Sequence, residues 1–526
     1  MKNYPSLPTL LSLAGLSIVV LSLFSCSLAS GFVYDSVAEI KNWSFIHDPG
    51  NLLTALSFRI MGMDVIDFNR PVAVTSLMFD SLLWGRNPFG YHLTNILLHL
   101  LVTCLVFLLI RHILALRNPS PDQIWPSFAA FLATLFFAIH PIVTEVVCEP
   151  TYRKDLLAAA FGLGALLLAA RHDPETRHGD LARIFLCALL CLLSIGSKEP
   201  GVAFPAILFL YWLLFRRTEP GAFWAWTIAV CTAATTIFLI ARFLLAHHPS
   251  EIVIHEPSYP GGSLVQTLLF IQPRLLAFYG FNLLWPLYLC ADYSAYSIRF
   301  FPLPLSLFLI ALIVAPLAWW ARKDSRVLFG MGFALATLLP TCNLVPMFHP
   351  AADRYLYIPL AGLVLLPAIA LNSQWVTATS SRRWAAVALV LVLVALLIPV
   401  TLQRERAWSS AVALWQDTLD RNPRSFPARV NLPDALLEAG RLNEAKAQSE
   451  STLQTPYADY PFVWFDYAII LNRLGDQKAS RQAAKRALEL KPDIADAEKM
   501  IRTLQCEPDQ EEEFIRLLPA TPTPKP

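Results

Sequence analysis

Two carboxylates open the polar part of this chain: Asp35 and Glu39, in the stretch Phe32-Val33-Tyr34-Asp35-Ser36-Val37-Ala38-Glu39-Ile40 just past the first apolar run. A carboxylate at a membrane-water boundary is placed to accept the proton of an incoming hydroxyl. Downstream, the cations Arg70, Arg153, Lys154, Lys198, Arg242 and Arg354 recur near the ends of apolar runs, beside the acids Glu145, Asp155, Glu199 and Asp353 and the imidazoles His92 and His140. Cations so placed can hold phosphoryl oxygens and stabilise a departing phosphate. Each of these residues also has a plain structural reading. Ser36-x-x-Glu39 fits a capping box, and Asp155 fits a first helical turn, where a carboxylate meets the positive end of the dipole. Lys198-Glu199 and Asp353-Arg354 fit loop ion pairs of small energetic consequence. His92, Asn95 and His99 share one helical face, but histidines at i and i+7 lack the i, i+4 spacing of a zinc-protease site, and hydrogen bonding between helices suits them better.

The elements that must position these groups are membrane helices. Of the 526 residues, 56% are hydrophobic and 15% charged, and mean hydropathy is +0.50, outside the usual range of a soluble globular chain. The expected fold class is all-α and polytopic. A net charge of +2 gives no reason to expect a nucleic acid as partner. The nine cysteines form no C-x-x-C pair and read as small core residues. The first apolar run, 8–29, is either a signal peptide or an uncleaved helix. Further runs of about spanning length follow from 93–113 to 384–402. Retention of Lys and Arg in cytoplasmic loops puts Lys2, 111–117, 171–183, Arg216-Arg217, 322–326 and Arg382-Arg383 inside. That alternation holds if the run 264–287, interrupted by Pro273 and Pro286, dips in and returns or lies at the surface, walling a cavity. The result is about eleven crossings, N-terminus inside and C-terminus outside. The membrane domain covers 1–403, its first external loop is about 30–91, and every candidate group above falls on the outer side.

Beyond residue 403 the pattern becomes soluble, charged and helical. Gly440 and Gly475 stand about 35 positions apart, and Pro423, Pro456 and Pro492 punctuate at similar intervals, which resembles tetratricopeptide repeats with their period of about 34. The span 404–505 reads as an α-solenoid of about two and a half such repeats, with Pro433 interrupting one helix near its start. The acidic, then Pro-rich segment 506–526 reads as a disordered tail.

Taken together, Phe32-Val33-Tyr34-Asp35, Arg70-Pro71, Asn87-Pro88-Phe89-Gly90-Tyr91-His92-Leu93-Thr94-Asn95, His140-Pro141-x-x-Thr144-Glu145, Arg153-Lys154-Asp155-Leu156-Leu157-Ala158, Ser197-Lys198-Glu199-Pro200 and Asn343-Leu344-Val345-Pro346 with Ala352-Asp353-Arg354-Tyr355-Leu356-Tyr357 resemble the transmembrane, tetratricopeptide-containing O-mannosyltransferases and their bacterial relatives. The resemblance implies a GT-C type membrane glycosyltransferase that takes a sugar from a polyprenyl phosphate and places it on an external acceptor, often a protein Ser or Thr hydroxyl. It implies Asp35 as the base of an inverting single displacement, with Lys198, Arg242, Arg354 and Arg153 on the donor phosphate. Glu39, Arg70, His92, His140, Glu145, Asp155, Glu199 and Asp353 become substrate contacts or their supports. No metal or other cofactor is required. The family carries paired acids in the first external loop; here the pair reads Asp35-Ser36. Other readings are a transporter, a lipid-linked polymer ligase, and an inactive scaffold whose repeats are the working part. The expected location is a bacterial inner membrane, with the repeats periplasmic, where they would meet a protein or peptide acceptor.

Overall fold

A computed structural model describes residues 6–63, 65–116, 124–173, 179–219, 221–245, 261–293, 301–347, 349–492, 513 and 515–517. They divide into two compact units, Met1–Leu289 with Ser297–Ser409, and Cys290–Tyr296 with Ser410–Pro526. Every regular element among the described residues is helical. The expected tail, 506–526, lies almost wholly outside them.

The first unit begins with α1 (Leu7–Leu23), followed by a loop of short turns, then α2 (Pro71–Trp84) and α3 (Pro88–Ala115). Prolines at the first helical position start both, where a missing N–H costs nothing; the Asn87 side chain caps α3 by accepting from the Phe89 N–H. Helix α4 (Ile124–Ile139) bends by 51° into the Pro141–Cys148 stretch. Next come α5 (Arg153–Ala170), α6 (Asp180–Ser197), α7 (Phe204–Tyr211, prolonged by a π turn to Arg216) and α8 (Ala222–Leu245). Helix α9 (Gln272–Leu284) follows a π turn at Thr267–Ile271, and α10 (Leu303–Ala321), α11 (Ser325–Leu338), α12 (Tyr357–Leu363), α13 (Leu365–Leu371) and α14 (Ser380–Ala407) complete the unit.

This is a multi-pass membrane protein. Eight helices of the described residues are long and apolar enough to cross a bilayer, nine if the bent pair at 124–148 counts as one span. Of the nineteen residues of α10 only Ser306 is buried, so among the described residues most of its apolar surface is left to lipid. The count falls below the eleven or so expected because Leu7–Leu23 and Ser325–Thr341 are shorter apolar helices, while α5 carries Arg153, Lys154 and Asp155 in its first turn. The polar loop expected over 30–91 also holds a helix that the sequence reading did not include, α2, whose face of Ala73, Val74, Leu77 and Met78 is buried.

The 264–287 segment differs from its expectation in form. It is not broken: Leu264–Leu284 runs as one helical stretch of 21 residues, and the π turn absorbs Pro273 by shifting the hydrogen-bond register ahead of it. Each end of α9 is tied to a neighbouring element. The Gln272 amide donates to the Cys342 carbonyl, and the Leu283 carbonyl accepts from His140 Nε2 at 3.1 Å.

The second unit contains α15 (Ala411–Arg421), α16 (Phe426–Glu438), α17 (Leu442–Leu453), α18 (Pro461–Arg473) and α19 (Gln477–Leu490). Helices α16/α17 and α18/α19 pack as hairpins. Each hairpin turns through a glycine in the left-handed region, Gly440 at φ 72° and Gly475 at φ 87°. The Gly N–H bonds back to Leu437 or Asn472 and the next N–H to Leu436 or Leu471, the same helix-ending motif twice. Pro433 does not interrupt its helix; it sits inside α16.

Candidate active site

Three polar residues of the first unit's functional face stand directly before prolines, at His140-Pro141, Glu149-Pro150 and Glu199-Pro200. Proline drives the residue before it out of the α region, and the single 3₁₀ turn that follows leaves that side chain facing its own cap. His140 Nδ1 accepts from the Ile142 N–H, and Glu149 Oε1 accepts from the Thr151 hydroxyl at 2.9 Å. In the Ser197-Lys198-Glu199-Pro200-Gly201 corner, Lys198 is extended. Gly201 allows the backbone to fold onto the end of α6, since a Cβ there would stand 2.4 Å from the Ile195 nitrogen.

These turns bring together an alternating net of acids and cations. Asp35 follows Tyr34, which adopts φ 53°, and its Oδ2 accepts from the Tyr152 hydroxyl at 2.9 Å. Among the described residues the other Asp35 oxygen has no hydrogen-bond partner. The Arg354 guanidinium lies over the Tyr152 ring, 4.5 Å from its centroid, and is held by Glu145, which also accepts from the Arg354 N–H at 2.7 Å. Lys198 pairs with Asp155 at 2.5 Å. Lys154 is shared by Glu39 at 3.3 Å and Asp67 at 2.9 Å; Asp67 in turn holds Arg70 at 2.6 Å. Glu199 bridges Arg70 at 3.2 Å and Arg242 at 3.4 Å.

The net is open at one edge. The side chains of Arg70, Glu199 and Arg242 are 21%, 31% and 26% exposed, whereas Lys154, Lys198 and Arg354 are 5%, 6% and 8% exposed. An anion therefore meets Arg70 and Arg242 first. Burial, joined by the Asp67 charge, pushes the Glu39 carboxyl well up, with Lys154 offsetting part of this. Burial acts on Asp67 in the same sense, but Arg70 and Lys154 outweigh it and hold Asp67 well below the usual carboxylate range. The Lys198 ammonium is brought down to about 8 by burial, with Arg354 and Arg70 adding to it against Asp155.

Several sequence candidates lie elsewhere. The buried Arg153 faces Asp80 at 2.6 Å and the carbonyls of Pro150 and Tyr91, which ties α5 to α2 and α3 rather than to the open edge. His92 reaches the Gly31 carbonyl at 3.3 Å, and His140 is engaged through both nitrogens. Asp353 opens the turn Asp353–Leu356 and is buried. The capping box is not formed: Ser36 makes no cap bond. Its hydroxyl instead accepts from the Val33 N–H at 2.8 Å and faces Glu149 Oε2 at 3.3 Å.

Three residues of this site carried no weight in the sequence reading: Asp67, Tyr152 and Glu149. Glu149 is fully buried, and burial together with the nearby Asp35 charge raises its carboxyl well above the ordinary value. Its X-Pro context, shared with His140 and Glu199, was the signal that could have found it. Asp67 takes φ 50°, which nothing in its neighbourhood announces.

The chain is 26% identical over 454 residues to the protein O-mannosyl-transferase F38B6.6 of Caenorhabditis elegans, a match covering 82% of this chain and 60% of that one. It is 26% identical over 441 residues to the protein O-mannosyl-transferase Tmtc3 of Drosophila melanogaster, covering 72% and 47%. The chain resembles the protein O-mannosyl-transferases over most of its length. It spans about half the length of the curated relatives it matches, and no family model matches it. Among solved structures, ArnT from Cupriavidus metallidurans bound to undecaprenyl phosphate aligns at 15% identity and a TM-score of 0.41, over 96% of this chain and 84% of that one.

Proposed function

We propose that the chain is a GT-C type membrane glycosyltransferase that moves a hexose, mannose by the relatives' names, from a polyprenyl phosphate to a protein Ser or Thr hydroxyl. The observation that carries this reading is the juxtaposition of a carboxylate with one unpartnered oxygen, Asp35, and a run of cations that begins one tyrosine away at Arg354 and opens outward at Arg70 and Arg242.

Asp35 takes the proton of the acceptor hydroxyl as its oxygen bonds to the anomeric carbon. The bond from that carbon to the phosphate oxygen breaks on the opposite face, and its electron pair leaves with the phosphate, giving inversion in a single displacement. Tyr152 fixes the orientation of Asp35 and is itself held under Arg354. Arg70, Arg242 and Lys198 neutralise the charge that grows on the phosphate; to admit it, Glu199 gives up its place between the two arginines. Arg153 is left out of this set because its donors are engaged elsewhere. In this reading the second unit is a tetratricopeptide module that presents the acceptor, and the site faces the periplasm from a bacterial inner membrane.

The deciding variant is Asp35→Asn, assayed for sugar transfer from a polyprenyl-phosphate donor in membranes. Transfer should drop about 10²–10⁴-fold, the usual worth of a general base, with the melting temperature in detergent unchanged. Wild-type rates in Asp35→Asn would overturn the proposal.

A further inference from the structure

A second cluster of cations stands far from the first. Leu108, Arg111, His112 and Ala115 of α3 and Arg171, just past α5, line a cavity of about 160 Å³. Arg111 lies 19 residues along α3 from His92 and Arg171 lies 18 residues along from Arg153, so each helix carries the cavity about 27 Å from the active-site face. That is about the thickness of the hydrocarbon core. The two sites therefore mark opposite faces of the membrane unit.

The loop-charge bias explains why arginines occur on this face. It does not explain why two converge on one cavity. Arg171 and Arg111 line the same cavity, and among the described residues neither has a carboxylate partner. Arg111 is held by its Nε, which donates to the Ser127 hydroxyl at 3.2 Å, leaving the terminal nitrogens of the guanidinium for another acceptor. His112 is held by the Tyr211 hydroxyl at 2.8 Å. Arg216 of the nearby π turn is compensated separately: it pairs with Glu219 and donates to the Ala170 carbonyl.

The order of residues along α3 identifies the ligand class. Leu108, Arg111/His112 and Ala115 repeat at three- and four-residue spacing on one face, with the leucine one turn deeper in the membrane than the cations. A ligand matching that order carries a phosphate at the interface and hydrocarbon directly beneath it. We propose that this cavity binds the headgroup phosphate of an anionic phospholipid on the face opposite the active site, held by the Arg111 and Arg171 guanidiniums.

The test uses the full-length protein in nanodiscs and does not depend on any transferase assay. Native mass spectrometry and melting temperature are compared in phosphatidylglycerol and in phosphatidylcholine, and again in detergent with inorganic phosphate. Wild type should retain phosphatidylglycerol and melt higher in it than in phosphatidylcholine. The Arg111→Gln/Arg171→Gln variant should lose at least about tenfold in retention, the worth of one charge-assisted contact. Its melting temperature in phosphatidylcholine should match wild type, which checks that the fold survives. Arg322→Gln/Lys323→Gln, which removes two charges from another loop, should retain the lipid normally. Equal loss in that control would assign retention to diffuse loop charge and overturn the site. So would unchanged retention in the arginine variant, or a melting response to inorganic phosphate that matches the response to lipid.

Discussion

Lys154 and Lys198 are both buried among acids, yet they carry different chemistry. Lys154 is shared by two carboxylates that their surroundings push in opposite directions, Glu39 up and Asp67 down. Because Asp67 is the firmly ionised member and Glu39 the raised one, Glu39→Gln should keep most transfer activity, within about threefold. Asp67→Asn, which leaves Lys154 and Arg70 without their shared anion, should cost about 2–4 kcal/mol of stability. Melting curves and initial rates on the same membranes check this, and a stable Asp67→Asn variant would count against it. Lys198 offers a pH signature. Its ammonium persists below about pH 8 and is lost above, so donor KM should rise as pH climbs through 8, and Lys198→Arg, which stays charged, should flatten that rise. Stability moves the other way. Between about 8 and the ordinary lysine range the unfolded chain binds the additional proton, so this group makes the fold more stable as pH increases there. A donor KM that is flat from pH 7 to 9 in wild type would remove Lys198 from the phosphate site. At this scale Asp35, Lys198 and Arg354 were legible because each sits in a short polar motif at the end of an apolar run. Asp67 and Glu149 were not, since their importance comes from long-range pairing with Lys154 and Ser36.

At the scale of elements, hydropathy located most long apolar helices but missed α2, whose fourteen residues are too few to span and too apolar to read as loop. The proline rule was misleading at two places for one reason. Pro273 follows a π turn and Pro433 sits within a packed hairpin, so tertiary contacts and a register shift absorb what an isolated helix could not. The inference that 264–287 does not cross stands on charge parity alone, since Leu264–Leu284 is long and apolar enough to span. In a Cys26→Ser background, cysteines placed at Ser263 and Tyr288 should react with an impermeant thiol reagent from one side of sealed vesicles. Labelling from opposite sides would mean that the segment spans.

For the molecule as a whole, the last membrane helix returns to the first loop. The Ser27 N–H donates to Glu405 at 2.9 Å, and Trp408 stands edge-on to Tyr34, with ring centroids 6.1 Å apart. The chain thus leaves the membrane unit on the face that carries Asp35. Reporter fusions after Ser30 and after Ser409 should accordingly give the same sidedness, and opposite signals would undo the topology. Helical class and membrane character were fully legible from composition. Which motifs share a face was legible only through the positive-loop alternation, and which of them touch was not legible at all, because those pairings, Asp67 with Arg70 aside, join residues 43 to 209 positions apart.

Glu199, seated between Arg70 and Arg242, has a consequence for what can enter the proposed donor site. A tethered carboxylate competes at an effective concentration in the millimolar range or above, so dissolved chloride, sulfate or free phosphate at cellular levels should seldom dislodge it. A phosphate carried on a polyprenyl chain escapes that handicap, since confinement to the bilayer concentrates it in two dimensions and presents it edge-on to the open arginines. The site would then discriminate by anchoring rather than by shape, and soluble sugar phosphates would be poor donors however well their sugar fits.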